Sequence, residues 1–363
     1  MNQQISISAA AIRTARKDNP KMRERDLASQ IGVCEAAVLE ACIGDYVEPI
    51  DPDLDVFLPM LGQAGEVMAL SRNDAAVHEK TGVYGGYRSG QHASIVLGTD
   101  IDLRIFPRHW RHAYHVAKPL DDGSVQYSFQ FFDAFGDAVH KVFARAATDM
   151  TRWTAIRDQL RVARQPATFA KRAAPGTRAT PAGHDIVALR QAWAGMQDTH
   201  QFQSILRKSR MTRLAAIEAI GTDFCWKLSE DAADLVLHQL GSDQLPVMIF
   251  LRNAGTLQIH SGPVHTIKQV GPWLNVLDPG FHLHLRADQF AAIWLVRKPT
   301  KAGDVYSLEI FGPGGEQTLM INGYRREGDS TDAVAQWNRL VQALPRAGAL
   351  EPARAGVTVE EVR

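Results

Sequence analysis

Hydrophobic positions along the chain change period in a fixed order, first three and four residues apart, then two. In the stretch DIVALRQAWAGMQDTHQFQSILRKS, Ile186, Leu189, Trp193, Met196 and His200 recur at helical spacing. That predicts an amphipathic helix with one stripe turned inward. After it come LPVMIFLRN, TLQIHSG, WLNVLD, HLHLR, IWLVRKP, VYSLEIF and QTLMIN, short alternating or β-branched runs separated by Gly, Pro, Asp and Asn. These read as strands. Earlier in the chain GEVMALSRN, HASIVLG, IDLRIF, AYHVAKP, VQYSFQFF and AVHKVFA repeat the series. Helices followed by a meander of strands predict an α+β fold with mainly antiparallel sheet in each half.

The two series are copies. At a shift of 180 residues Val67-Met68 falls on Val247-Met248, Arg72-Asn73 on Arg252-Asn253, Gly82 on Gly262, Leu103 on Leu283, and Lys118-Pro119 on Lys298-Pro299. A gapless register that keeps turn glycines and the Lys-Pro step in place indicates an internal duplication. The expected organisation is a first half over 1–160, a connector over 161–184, a second half over 185–345 and a tail over 346–363. The connector carries five basic residues, no acidic ones and three prolines. It reads as a mobile, solvated linker and not as a nucleic-acid patch, because it lacks interleaved aromatics.

Charge narrows the partners. Forty Lys+Arg against forty Asp+Glu give a formal net charge of zero, which argues against nucleic acid or an anionic membrane as partner. Three cysteines without a C-x-x-C pair support neither a disulfide framework nor a cysteine zinc site. With no apolar run long enough for a membrane span and no leader pattern, the expectation is a cytoplasmic protein. Residues 24–44, ERDLASQIGVCEAAVLEACIG, have a helix-turn-helix rhythm, for which paired core helices are the preferred reading over a DNA-binding regulator. No P-loop, G-x-S-x-G elbow or H-E-x-x-H helix occurs, and GPGG at 312–315 reads as a hairpin turn.

Histidines remain. Of thirteen, His109, His112, His115, His282 and His284 sit in strand segments where an edge or surface position is the default. His200 instead falls on the apolar helical stripe, so its imidazole is expected inside, among large apolar side chains. A hydrogen-bonded core histidine is the commoner outcome there; the alternative is an axial bond to haem iron, whose porphyrin supplies the other four ligands. Haem also needs cations for its propionates and a polar group on its opposite face. Lys298 and Arg325 are cations at strand or loop ends, and Arg104 is a cation within an apolar strand.

Taken together, the duplicated halves, RNDAAVHEKTGVY, IDLRIFPRHW, MQDTHQF, WLNVLDPGFHLHLR and VRKPT followed by an REG turn resemble the cytoplasmic haemin-degrading and haem-trafficking family of HemS/ChuS/PhuS type, over roughly residues 20–345. The resemblance implies two similar halves and haem in a cleft on the C-terminal side. By the same resemblance His200 is the proximal iron ligand, Arg104 the distal residue, and Lys298 and Arg325 the propionate partners. His78 matches a histidine tied to a second haem in some members. Asn322 stands where the family often has an aromatic residue, with Tyr324 beside Arg325 instead, which alters the propionate-side hydrogen bonding. His200 aligns with Arg23 in the first half, so one main haem is expected. The implied function is oxidative, haem-oxygenase-like opening of haem b with an external reductant. The competing function is a carrier that takes haem from an import ABC transporter and hands it to a separate haem oxygenase.

Overall fold

The structure is a computed structural model that describes residues 7–163, 167–170, 185–324 and 331–348. In the first half, α1 (Ala9–Asp18), α2 (Glu24–Ile31) and α3 (Glu35–Glu40) precede β1 (Val47–Ile50) and α4 (Leu54–Leu61). Then follow β2 (Gly65–Arg72), β3 (Ala76–Gly82), β4 (Ser94–Leu97), β5 (Asp102–Ile105), β6 (His112–Pro119), β7 (Val125–Phe132), β8 (Ala138–Thr148) and α5 (Met150–Leu160). The second half opens with α6 (Ile186–Ala194), α7 (Gln201–Ser209), α8 (Arg213–Ile220), β9 (Cys225–Lys227) and α9 (Ala232–Asp243). It continues through β10 (Val247–Arg252), β11 (Thr256–Gly262), β12 (Ile267–Val270), β13 (Trp273–Asp278), β14 (Phe281–Arg286), β15 (Ala292–Lys298), β16 (Val305–Phe311), β17 (Gln317–Gly323) and α10 (Thr331–Gln342).

Helix starts follow local chemistry. Asp53, Asp149, Asp185 and Thr212 each cap an otherwise orphaned backbone N–H at the head of α4, α5, α6 and α8. At the end of α2, Gly32 takes φ 72°, a left-handed stop that costs a glycine little. The helix-turn-helix-like segment is α2 and α3, with Leu27, Ala36, Val38 and Leu39 buried.

Antiparallel strands form two sheets, in the orders β1-β6-β7-β8-β2-β3-β14-β13-β12 and β4-β5-β11-β10-β17-β16-β15-β9. The α+β expectation therefore holds, with a change in how the halves combine. Each half lends strands to the other: β14 pairs with β3, as Leu283 opposite His78, and β5 pairs with β11, as Arg104 opposite Leu257. Neither sheet is built by one half alone.

The Arg-Asn identity at offset 180 has a structural reason. Asn253 Oδ1 accepts the N–H groups of Gly255 and Thr256, tightening the β10–β11 turn, while its Nδ2 donates to Arg72 O and Val139 O in the other half at 3.0 and 2.8 Å. Asn73 mirrors it, turning β2 into β3 and donating to Arg252 O and Thr318 O at 3.1 and 2.8 Å. The two side chains clasp the halves reciprocally.

Of the expected connector, 164–166 and 171–184 lie outside the described residues, as do 349–363 of the tail. The stretch 167–170 rests on the first half, where Ala170 N–H donates to Ala134 O and Phe169 meets the His112 ring at 5.0 Å.

Candidate functional site

Directly opposed residues of antiparallel strands share a face, so register alone assembles one surface on the second sheet. Ile95, Arg104, Leu257 and Arg252 form one row across β4, β5, β11 and β10. Phe250 with Met320, and Met248 with Asn322, continue the same face toward β17. These side chains are half-buried, apart from exposed Arg252, whereas their neighbours Leu103, Leu251, Leu319 and Ile321 are fully buried beneath the sheet. The result is a mainly apolar shelf with a guanidinium at one edge. Further along, over β16 and β15, the same face is covered by α6–α8 through Trp193, Phe202, Val296 and Phe311.

Arg104 is about one-third exposed and ion-pairs with Asp102 two residues back, while also donating to Leu103 O at 3.2 Å. Burial pushes the Asp102 carboxyl up, and Arg104 opposes it. The guanidinium is thus held at the shelf edge with donors left over.

His200 is not where the helical stripe places it. The expected single helix is broken: α6 ends at Gly195, and His200 stands at the head of α7 with its side chain 94% exposed. Trp193 and Met196 do turn inward, and Phe202 fills the interior position beyond them. The break is fixed by Asp198, whose Oδ1 takes the His200 backbone N–H at 2.7 Å and its Nδ1 at 2.6 Å. With Nδ1–H donated to a carboxylate, Nε2 is left with the lone pair. Since His200 keeps helical backbone angles, it shares a face of α7 with Gln203 and Arg207, three and seven residues on.

Further along α7, Gln203, Arg207 and Arg210 line a cleft of about 750 Å³ together with Arg25, Glu35 and Arg72 of the first half and Arg252 at the end of β10, and His200 stands one turn before that lining. Arg252 is the row neighbour of Arg104 across Leu257, and it stacks on Phe106 at 5.1 Å. The cleft thus joins α7 to the row of Arg104 through Arg252, with Gln203 and Arg207 on the α7 side.

Lys298, expected as a propionate partner, is buried instead. Its Nζ donates to Glu309 Oε1 and Ser307 Oγ, both at 2.7 Å, and lies 5.0 Å from the centre of the Phe202 ring. Arg213 completes the cluster, reaching Glu309 at 2.5 and 2.7 Å and Met320 Sδ at 3.6 Å. Burial pulls the Lys298 ammonium down, with Glu309 opposing. A cation spent on an internal carboxylate packs α7 onto the sheet and is not available at the shelf. Tyr324 lies half-buried just past β17, its N–H toward Pro246 O, near the Asn322 end of the shelf. Arg325 falls outside the described residues.

His78, the candidate for a second site, is buried too. It is fully buried in β3, its Nδ1 2.9 Å from Gln258 Nε2 and its ring 5.0 Å from Phe281. Burial, with His260 and Lys80 adding to it, holds its pKa well below the usual histidine value. A ring sealed in this way has no room for a macrocycle.

Comparison with known proteins agrees with the duplication. The family described as haemin-degrading HemS/ChuX domain matches twice, over residues 32–160 and 210–344. The chain belongs to this family. A hemin transport protein, HmuS of Yersinia pestis, is 34% identical to the present member over 91% of its chain and 95% of the relative. Holo-PhuS, a heme-binding protein from Pseudomonas aeruginosa, superposes with a TM-score of 0.87 at 34% identity, covering 93% of this chain and 98% of that one. ChuS, described as an Escherichia coli heme oxygenase, superposes at 0.80 with 31% identity over 91% and 98% of the two chains. Among the described residues no helix is long and apolar enough to cross a membrane.

Sequence reasoning missed Asp198, although an acid two residues before a histidine is the spacing that lets one carboxylate hold both backbone and ring. It also missed Arg252, whose pairing with Arg72 in the repeat was the available signal.

Proposed function

We propose that this member of the HemS/ChuX family binds haem b between the exposed face of α7 and the shelf of the second sheet, and opens the ring oxidatively. The observation that carries the reading is His200: an exposed imidazole at the head of α7 with Nδ1 held by Asp198 and no partner on Nε2 among the described residues, one turn before the Gln203 and Arg207 that line a cleft with Arg252. Three inter-strand steps separate β5 from β17, about 14 Å. That span would accommodate a flat ring against Leu257, Phe250 and Met248, with His200 and Arg104 as the residues that would hold it. Leu257, Phe250, Met248 and Met320 supply the apolar contact a macrocycle needs and keep bulk water from its edge.

Haem itself supplies the oxidising chemistry once a reductant and oxygen are present. The chain's part is to orient the ring and place charge. Asp198 holds His200 Nδ1 and so fixes the ring's tautomer and orientation, leaving Nε2 as the ligand atom. Arg104, anchored by Asp102, presents N–H donors that stabilise negative charge developing on the distal side. Arg207, Arg210 and Arg252 in the adjoining cleft are the accessible cations for the propionates, with Lys298 reserved for Glu309. Arg325 and Tyr324 are retained as propionate-side partners of the same site.

The exposure of His200 also suits a carrier, because an open ligand releases its cargo readily. In that reading the protein takes haem from an import transporter and delivers it to a separate haem oxygenase, in keeping with the transport role by which the Yersinia pestis relative is described. One experiment separates the two. Haem-loaded protein is given a reductant in air and its Soret band followed. Enzymatic opening bleaches the wild-type band, and Arg104→Ala slows the bleaching by about 10²-fold or more while hemin still binds. A wild-type band that persists under reductant establishes the carrier.

A further inference from the structure

The duplication gives the first sheet a counterpart of the shelf. At offset 180 Met68, Leu70 and Val77 take the places of Met248, Phe250 and Leu257, and they floor a second cleft of about 570 Å³ beneath α2. At its edge the chemistry differs. Where the second sheet has Asp102 and Arg104 on β5, the first has His282 and His284 on β14, and opposite them Glu79 of β3 replaces Ile259.

The geometry points to a divalent transition-metal site at Glu79, His282 and His284. Each offers one ligand atom, and the three atoms lie within 4.8 Å of one another. Strand geometry brings this about: β14 alternates buried Phe281, Leu283 and Leu285 with outward His282 and His284, and Glu79 is the direct cross-strand partner of His282. The rings of His282 and His284 are 6.0 Å apart between centres, close enough to share one ion.

A second observation aims one of these rings at a ligand. Asn275, opposite His284 on β13, places its Oδ1 2.6 Å from His284 Nδ1, while its own Nδ2 is spent on Lys268 O and Trp273 O at 3.0 Å each. An amide whose N–H₂ is already donated can only accept at its oxygen, so Nδ1 carries the proton and Nε2 is left as a lone-pair donor. This is the arrangement Asp198 gives His200 at the head of α7. Two imidazoles and one carboxylate favour Zn²⁺, Co²⁺, Ni²⁺ or Fe²⁺ over Mg²⁺ or Ca²⁺, and three protein ligands leave a position open toward the cleft.

Haem-free full-length protein is titrated with Zn²⁺ by calorimetry and with Co²⁺ by visible absorption. Trp273, whose ring lies 6.5 Å from that of His284, is the fluorescence reporter for quenching by Co²⁺. The expected result is one ion per chain, lost in His284→Ala and in His282→Ala, and about 10- to 100-fold weaker in Asn275→Ala. His200→Ala leaves the Zn²⁺ isotherm unchanged, and His284→Ala leaves the hemin Soret titration unchanged, so this site and the haem reading stand or fall separately. Circular dichroism confirms that each variant is folded, and Asn275→Asp supplies a variant that keeps an acceptor at the same place. Wild type that takes up no stoichiometric Zn²⁺, or folded His284→Ala that titrates like wild type, overturns the site.

Discussion

One carboxylate oxygen of Asp198 serves both the backbone and the ring of His200, and the two bonds have different consequences. The backbone bond ends one helix and starts the next, so the imidazole is carried out of the apolar stripe. The ring bond fixes which nitrogen is free. Asp198→Asn leaves a neutral acceptor, and hemin affinity measured by Soret titration is expected to fall by about 10- to 100-fold with the fold intact. The residue type at 200 was readable in the sequence, but its orientation was not. Trp193, Met196 and His200 keep a helical spacing through a turn that is not helical, and a short-range polar bond overrides the period.

The burial of Lys298 was not legible in the sequence for a related reason. A cation at a strand end looks solvated until its partner, eleven residues away on the next strand, is placed. Burial alone would raise the Glu309 carboxyl, yet Arg213 and Lys298 hold it well below its ordinary value of 4.5. Because the folded value is the lower one, the stabilisation is complete above the unfolded pKa and is lost as the pH falls through the folded one. Glu309→Gln is expected to cost about 3–5 kcal/mol in urea unfolding at neutral pH, since it strands two buried cations. Its stability curve should also be flatter than that of wild type on acidification below pH 4.5.

At the scale of elements, the strand runs and their order were legible because each alternates and ends at a turn residue. The exchange of β5 and β14 between sheets was not. A constant offset states that two segments are alike but not which edge each one joins, and that choice is made by tertiary packing. The Arg-Asn identities marked the place where the halves meet. Asn253→Ala removes two turn bonds and two cross-half bonds and leaves Arg72 O and Val139 O without that donor. A loss of about 1–3 kcal/mol is expected in chemical denaturation. A change within a few tenths would show that the clasp contributes nothing.

Across the whole molecule, duplication followed by divergence explains why the two clefts differ. Each sheet keeps an apolar floor, Met248, Phe250 and Leu257 edged by Asp102 and Arg104 on one and Met68, Leu70 and Val77 edged by Glu79, His282 and His284 on the other. Only the second half places a histidine at the head of the covering helix, since the aligned residue of the first half is Arg23. His78, the sequence's other candidate, lies in the core between the sheets. Under the proposed function one haem per chain is expected, on His200. The most direct measurement is a hemin titration of apoprotein followed at the Soret band, for wild type and His200→Ala side by side. The account predicts one equivalent with a histidine-ligated spectrum in wild type and loss of that spectrum in the variant. An unchanged ligated spectrum in His200→Ala, or no hemin binding by wild type, contradicts it.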